Sequence, residues 1–319
     1  MQETTFRAPR QPLVAPGEID CHVRDMTAAF SADVTLAAAQ AKLAEFDQWL
    51  PIDGDAGSTL GHLVETDSTG PLRLGYGAWR DLLLAVQLHN GRGELITAGV
   101  RTVKNVAGYD VPKFMVGQRG IFGRLVTITT RTYRRPQRAL IATFPPDVTI
   151  VNRMIPTSLR PQWAIMTADF LSCGYLGDDR TVEFYRNAVR AAEPRGIVEL
   201  WPKQETEQRE LMWGAEVDDL VFRASVPPAR IAEFARRLTR DWVADPVFGV
   251  VIGEVWPPQE TAAIREAACR VGGSVRFYDG HSGAPVELST TEAERRIIER
   301  LKDAFDPDRK LNPLPWQHS

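Results

Sequence analysis

Cysteine, histidine and net charge are all in short supply in this chain, and each shortage removes a class of function. The three cysteines, Cys21, Cys173 and Cys269, are odd in number and far apart, which suggests neither a disulfide framework nor a cysteine metal site. A reduced, cytosolic compartment is expected. The five histidines sit in unrelated contexts, so no Ser-His-Asp or Cys-His arrangement can be assembled. No H-E-x-x-H, P-loop or metal-spaced cluster occurs. Basic residues number 38 against 41 acidic ones, a net charge of −3, so nothing argues for nucleic acid or an acidic tail. Long apolar runs are missing as well. Residues 82–88 are too short to span a bilayer, and the first seventeen residues, with Arg7 and Arg10 among prolines, lack the apolar segment of a signal peptide. Membrane association is expected only through partners.

The chain is long enough, at 319 residues and 44% apolar, for one large domain or two ordinary ones. Pro9, Pro12 and Pro16 make the start an extended arm. Leu36, Ala39, Leu43, Phe46 and Leu50 repeat at helical spacing behind a cap at Asp33 or Thr35, which predicts a helix running to Pro51. Residues 79–88 read as helix or turn entering a strand, Asn90-Gly91 as a hairpin, and residues 95–98 as the return strand. Residues 125–133 form a β-rich run that ends at Arg135-Pro136, the expected domain boundary. Beyond it, strands are expected at 139–144, 162–168, 220–226, 248–255 and 274–278. Helices are expected at 181–192, 229–242, from Pro257-Pro258 through Cys269, and at 291–305. This alternation, repeated twice, fits helices layered over one sheet face.

The most informative stretch is Gly99-Val-Arg-Thr-Val-Lys-Asn-Val-Ala-Gly-Tyr-Asp110, followed by Gly117-Gln-Arg-Gly-Ile-Phe-Gly123. Such glycines let backbone approach a flat or phosphorylated ligand closely. Lys104 offers a point charge, and Asn105 offers donors and an acceptor. The spacing is G-x-x-G-x-x-G and leads into a strand, which argues against a nicotinamide-binding Rossmann site. Blander readings stand beside these. Lys104 is then a surface lysine, Tyr109 and Asp110 bond within their own loop, and Arg80-Asp81 is a local ion pair of about 0–1 kcal/mol. His62 and His281 are then structural, and the tryptophans are core or interface anchors.

Residues 103–110 resemble the K-N-V-A-G-Y-D segment of FAD-linked oxidases of the PCMH, or vanillyl-alcohol oxidase, type, and in particular the flavin subunits of bacterial glycolate oxidases. Ser58-Thr-Leu-Gly61 resembles that family's T-L-G-G loop, and residues 68–81 its S-G-P-x-R-x-x-x-G-x-x-R-D segment. Residues 117–123 resemble its G-S-x-G-T-L-G loop. Residues 301–307 with Leu311-Asn-Pro313 resemble its C-terminal L-K-x-x-F-D-P and N-P-G. The likeness is strong over residues 30–136 and weaker beyond. It implies an α+β fold: an arm at 1–30, a truncated PCMH-type FAD-binding domain at 31–136, and a ferredoxin-like α+β cap domain at 137–319. It also implies FAD held along Gly57, Ser58, Thr59, Leu60 and Gly61. Arg80, Asp81, Lys104, Asn105, Gly108, Tyr109, Gly117, Gly120 and Gly123 would contact or support the cofactor. The implied partners are a sister flavin subunit and an iron–sulfur subunit, in the cytoplasm or peripheral to the inner membrane through those partners.

The departures set the alternatives. The family's first lobe, with its pyrophosphate loop, should precede the helix near residue 36, and no glycine-rich loop stands there. His62 replaces the second glycine of T-L-G-G, Gln118 and Ile121 replace hydroxyl positions, Phe122 replaces a leucine, and Leu314 replaces the final glycine. Charge-assisted hydrogen bonds to a diphosphate contribute ~1.5–3 kcal/mol each, so loss of that lobe weakens the site. Four readings follow: a FAD-binding oxidoreductase subunit, a cofactor-free structural subunit of the same complex, a small-molecule binding module, or a chain whose true start lies upstream. No catalytic base can be named. The substrate site is expected on the sister subunit.

Overall fold

The computed structural model describes residues 11–100, 110–200, 220–255, 260–279, 291–314 and 316. The first stretch contains β1 (Ile19–His22), β2 (Thr27–Ser31), α1 (Leu36–Ala44), β3 (Gln48–Trp49), α2 (Leu60–Thr66), α3 (Arg73–Tyr76), α4 (Trp79–Leu82), β4 (Leu83–His89) and β5 (Leu95–Gly99). After residue 110 come α5 (Val111–Phe114), β6 (Arg124–Arg131), β7 (Tyr133–Arg134), β8 (Arg138–Phe144), α6 (Val148–Met154), β9 (Trp163–Met166), β10 (Leu171–Gly177), α7 (Asp179–Ala192) and β11 (Ile197–Leu200). The last elements are β12 (Leu220–Ser225), α8 (Ile231–Ala235), β13 (Trp242–Asp245), β14 (Val250–Val255), α9 (Glu260–Arg270), β15 (Ser274–Asp279) and α10 (Glu292–Phe305). They divide into two compact units. Residues 1–69, 76–135 and 289–319 form the first, and residues 70–75 with 136–288 form the second.

The first unit is built on an antiparallel sheet in the order β1-β2-β6-β4-β5. Strand alternation sends Phe30, Ile128 and Val86 to one face, where they join Leu36, Ala39, Leu43, Leu60 and Leu63 of α1 and α2 in a single core. Thr35 caps α1, its hydroxyl accepting from the Ala38 N–H. The helix stops at Ala44 rather than running to residue 50. Asp47 takes a positive φ of 57°, and Gln48 and Trp49 turn away to pair with Arg134 and Tyr133. Trp49, Tyr76 and Tyr133 then meet edge to face, with centroids 5.4 and 5.2 Å apart.

The C-terminal segment belongs to this first unit. The sequence had grouped it with the second half at 137–319. The reason for the difference is a buried clasp. Lys302 is fully buried, and its Nζ donates to the Ile121 carbonyl (2.9 Å), Asp306 Oδ2 (2.6 Å) and the Asn312 carbonyl (2.8 Å). Asp306, also fully buried, accepts from the Lys310 and Leu311 N–H groups. Burial opposes the charge on Asp306, but the Lys302 ammonium and those N–H donors outweigh it and hold the carboxyl below its ordinary range. Gly91, at the hairpin the sequence marked, donates to the Phe305 carbonyl. A Cβ there would lie 2.1 Å from Asp306 Oδ1.

The second unit is one antiparallel sheet in the order β11-β8-β10-β9-β13-β14-β12-β15. It consists of two β-α-β-β-α-β repeats. Within each, the first strand lies between the third and fourth, the ferredoxin-like order. The repeats join along their second strands, where Ala244 faces Met166. One continuous core lies on the helical face, with Leu140, Cys173, Tyr175 and Val189 from one repeat and Phe222, Val251, Ile264 and Phe277 from the other. Two expectations are corrected here. The helix expected at 229–242 ends at Ala235, because Trp242 and Ala244 are needed as a strand beside β14. Nothing in the sequence marks strand β10, because Gly174 and Gly177 look like breakers. Gly174 instead makes room for the Trp163 indole, since a Cβ there would lie 1.9 Å from its Nε1. Residues 256–259, at the start of the helix expected from Pro257, lie outside the described residues.

Six residues of the crossing segment, 70–75, belong to this second unit. Arg73 Nε lies 3.5 Å from the buried Asp245, and its guanidinium sits 3.9 Å above the Phe248 ring. Arg160 donates to the Leu74 carbonyl.

Removing one partner of a buried ion pair leaves an uncompensated charge and costs about 3–5 kcal/mol. Lys302→Met is therefore expected to lower the unfolding free energy of the first unit by that amount in a urea titration. The Asp306 carboxyl, depressed in the folded state, contributes stability that is full above its unfolded value, near 4. That stability is lost as pH falls through the folded value. Unfolding curves of Asp306→Asn should lack this acid-side loss.

Candidate functional site

Two of the glycine-bearing loops flagged by the sequence are knitted together by backbone. The Leu60 and Gly61 N–H groups donate to the Val34 and Ala32 carbonyls at 2.8 Å, and Ala32 N–H donates to the Val126 carbonyl. Thr35 and Thr59 form a β-bridge. At the other end of α2, the Gly117 and Arg119 N–H groups donate to the Val64 and Glu65 carbonyls, both at 2.9 Å. Residues 57–61 and 117–123 are thus held at the two ends of one short helix.

The individual residues are engaged as follows. Ser58 donates its hydroxyl to Asp55. Thr59 caps α2 by accepting from the His62 N–H. Leu60 is core. A Cβ on Gly57 would meet only a side-chain end, Asp55 Oδ2 at 3.3 Å, whereas a Cβ on Gly61 would lie 2.8 Å from the Ala32 carbonyl. Arg80 is exposed. Asp81 accepts from the Ala78 N–H ahead of α4, which is a local capping role rather than an ion pair with Arg80. Gly117 and Gly120 have positive φ, 81° and 72°, the backbone region that favours glycine. Gly120 is approached by Asn312, whose Nδ2 donates to the Arg119 carbonyl. A Cβ on Gly123 would lie 2.5 Å from Leu88. Lys104, Asn105, Gly108 and Tyr109 lie outside the described residues. Asp110 caps α5 and pairs with Lys113 at 2.6 Å.

The loop substitutions that weaken the resemblance have structural explanations. Gln118 is buried, and its amide accepts from the Phe122 N–H and donates to the Gly123 carbonyl. It braces the loop from inside. Phe122 packs against Phe114 and Phe305, with ring centroids 5.0 and 6.0 Å away. One carboxylate here escaped notice in the sequence, Glu65 at the end of α2. Burial pushes its carboxyl above the ordinary range, against the Leu125 N–H, Arg124 and Gln118. No spacing signal pointed to it.

The sheet face opposite the core is the part of this unit that fits a hydrogen-bonding planar group. Register places Ser31, Thr127, Gln87 and Thr97 side by side across β2, β6, β4 and β5. Ala29, Thr129, Ala85 and Gly99 form the next row. Every side chain is small or polar, so the face is flat. The Thr127 and Thr129 hydroxyls are fully buried and have no hydrogen-bond partner, an arrangement that leaves capacity for a ligand group or ordered water. The first row adjoins the Ala32–Gly61 junction, and the second ends at Gly99, from which the Lys104–Tyr109 segment departs in sequence. Among the described residues there is no cluster that could hold a metal ion, and no helix is long and apolar enough to cross a membrane.

An antiparallel lobe backed by helices, together with a doubled β-α-β-β-α-β sheet, is the α+β fold of FAD-linked oxidases. Two solved chains of alkyldihydroxyacetonephosphate synthase match it with TM-scores of 0.66 and 0.67. They cover 89% of this chain and 63% of theirs, at 14 and 15% identity, so the likeness is one of fold. Similarity in sequence extends to curated members of the FAD-linked oxidase family. The chain is 25% identical over 268 residues to glycolate oxidase subunit GlcE of Escherichia coli, covering 80% of this chain and 71% of that one. It is 24% identical to a D-lactate dehydrogenase of Archaeoglobus fulgidus, covering 82% and 70%. It is 28% identical over 121 residues to the mitochondrial cytochrome-linked D-lactate dehydrogenase of Arabidopsis thaliana, of which it spans about a fifth. No family model matches the chain.

The two glycines at 57 and 61 are expected to differ in their response to alanine. Gly61→Ala forces a Cβ against backbone and should cost about 1–3 kcal/mol of stability. Gly57→Ala should stay within about 0.5 kcal/mol. Paired urea titrations of the two variants check this.

Proposed function

We propose that this chain is a FAD-binding oxidoreductase subunit of a 2-hydroxy-acid oxidising complex of the glycolate oxidase type, working beside a sister flavin subunit and an iron–sulfur subunit. The observation that carries the reading is the flat polar sheet face with its orphaned Thr127 and Thr129 hydroxyls, flanked by the knitted loops 57–61 and 117–123. Extended similarity to a glycolate oxidase subunit supports the substrate class. The chemistry supplied by FAD is two-electron acceptance from a hydroxyl-bearing carbon. This chain's own part is to hold and orient. Gly57 and Gly117 present backbone without a side chain, Thr127 and Thr129 offer hydroxyls, and Lys104, Asn105, Gly108 and Tyr109 follow Gly99 in sequence. The substrate-facing base is assigned to the sister subunit.

A second reading has its own observation. Thr59, Asp81 and Asp110 cap helices, and Gly61, Gly120 and Gly123 are closely approached by protein atoms. These are the engagements of a structural subunit that no longer carries the cofactor.

The visible spectrum of the purified chain, alone and co-expressed with flavin and iron–sulfur partners, separates the two. Flavin bands near one equivalent in the chain alone are expected on the first reading. A colourless chain that co-purifies with coloured partners would establish the second.

A further inference from the structure

The arm that enters the first unit does not trail away from it. Ala15-Pro-Gly-Glu18 closes a turn, with Glu18 N–H donating to the Ala15 carbonyl. Proline second and glycine third, the latter at φ +76°, is the signature of a type II turn. The turn is pinned at both ends. Gly17 N–H donates to Asp33 Oδ1 at 3.0 Å, Ala15 N–H donates to Glu18 Oε2, and Glu18 O accepts from Ser31 N–H, extending the β1–β2 ladder. Beyond the turn, Leu13 N–H donates to Gln87 Oε1 at 2.6 Å.

Glu18 stands at β1 and Gln87 on β4, with β2 and β6 between them. The intervening residues therefore cross above those two strands. They cross on the face that carries Gln87, which is the face of Ser31, Thr127 and Thr97. The distances agree. From β1 to β4 is three strand spacings, about 14 Å. Two extended residues cover about 7 Å, and the width of the turn together with the glutamine side chain supplies the rest. Gln87 is itself steadied from the far side by donating to Thr97 Oγ1 at 2.9 Å. The row lies directly beneath the arm, and at its centre is the Thr127 hydroxyl, buried and without a partner. The arm's own attachment is shallow. Val14 is its one buried side chain, while Leu13, Ala15, Pro16 and Gly17 are exposed.

We propose that residues 11–17 form a displaceable strap over the Ser31–Thr127–Gln87–Thr97 row, and that this row is the hydrogen-bonding shelf FAD occupies once the strap lifts. The inference rests on the flavin reading above and adds a gate to it. The shelf is available only in the strap-open fraction of molecules, so the apparent affinity for FAD falls by that fraction.

The test is quenching of FAD fluorescence on titration with the full chain and with two variants confined to the exposed arm. Leu13→Pro deletes the one N–H that holds Gln87, and Gly17→Ala penalises the turn's positive φ with no clash, since nothing lies within 4 Å of a Cβ there. Neither alters a side chain of the shelf or the core; Leu13→Pro frees Gln87 Oε1, and Gly17→Ala leaves that bond's donor in place. Loss of one neutral hydrogen bond is expected to tighten FAD binding about two- to tenfold in Leu13→Pro, and the strained turn about fivefold or more in Gly17→Ala. Equal affinities in all three proteins would overturn the strap while leaving the flavin reading intact. Weaker binding in both variants would make the arm part of the site and overturn the gate. Absence of quenching in all three would overturn the strap and the flavin reading together.

Discussion

The first unit depends on the buried Lys302–Asp306 pair. Each partner is saturated. The ammonium has three acceptors, and the carboxylate has the ammonium and two backbone donors. A pair so satisfied is tolerated in a core, whereas either member alone is not. One of the acceptors is the Ile121 carbonyl, inside the loop of Gly117, Gly120 and Gly123. Another is the Asn312 carbonyl, and Asn312 in turn donates to Arg119. The C-terminal segment thereby fixes a loop almost two hundred residues earlier in the chain. That loop fixes the end of α2, and α2 carries residues 57–61 at its start. The position of those two loops is thus tied to a charge pair far away in the sequence.

Much of the fold was legible because local chemistry and tertiary demand agree. Thr35 caps α1, Thr291 caps α10 with Glu294 in reciprocal bonds, and Asn90-Gly91 begins the hairpin. What could not be read is what depends on partners distant in sequence. Gly174 looks like a strand breaker until the Trp163 indole occupies the space above it. Helix α10 has the pattern of any amphipathic helix, and the Lys302 bonds, the Gly91–Phe305 bond and the Phe305 ring contacts assign it to the first unit. The helical spacing of Phe46 and Leu50 continued past the point where Asp47 turns the backbone. Phe46 is exposed, and Leu50 is buried but follows the short strand β3 rather than lying on α1.

The candidate site divides along the same line. The glycine loops could be picked out by their residues, since positive φ at Gly117 and Gly120 needs glycine or a close substitute. The departures from the family pattern read as damage, yet Gln118 braces the loop from inside and Phe122 packs against Phe114 and Phe305. The polar row was invisible because Ser31, Gln87, Thr97 and Thr127 belong to four strands whose register no local signal specifies. The turn at Ala15-Pro-Gly-Glu18 was present in the residues, but its direction over the sheet was not.

The most direct test of the account is amide hydrogen exchange on the intact chain with and without saturating FAD. The account predicts that Leu13 and Val14 lose protection while residues 57–61 and 117–123 gain it. Unchanged exchange in those loops, or added protection at Leu13, would contradict it.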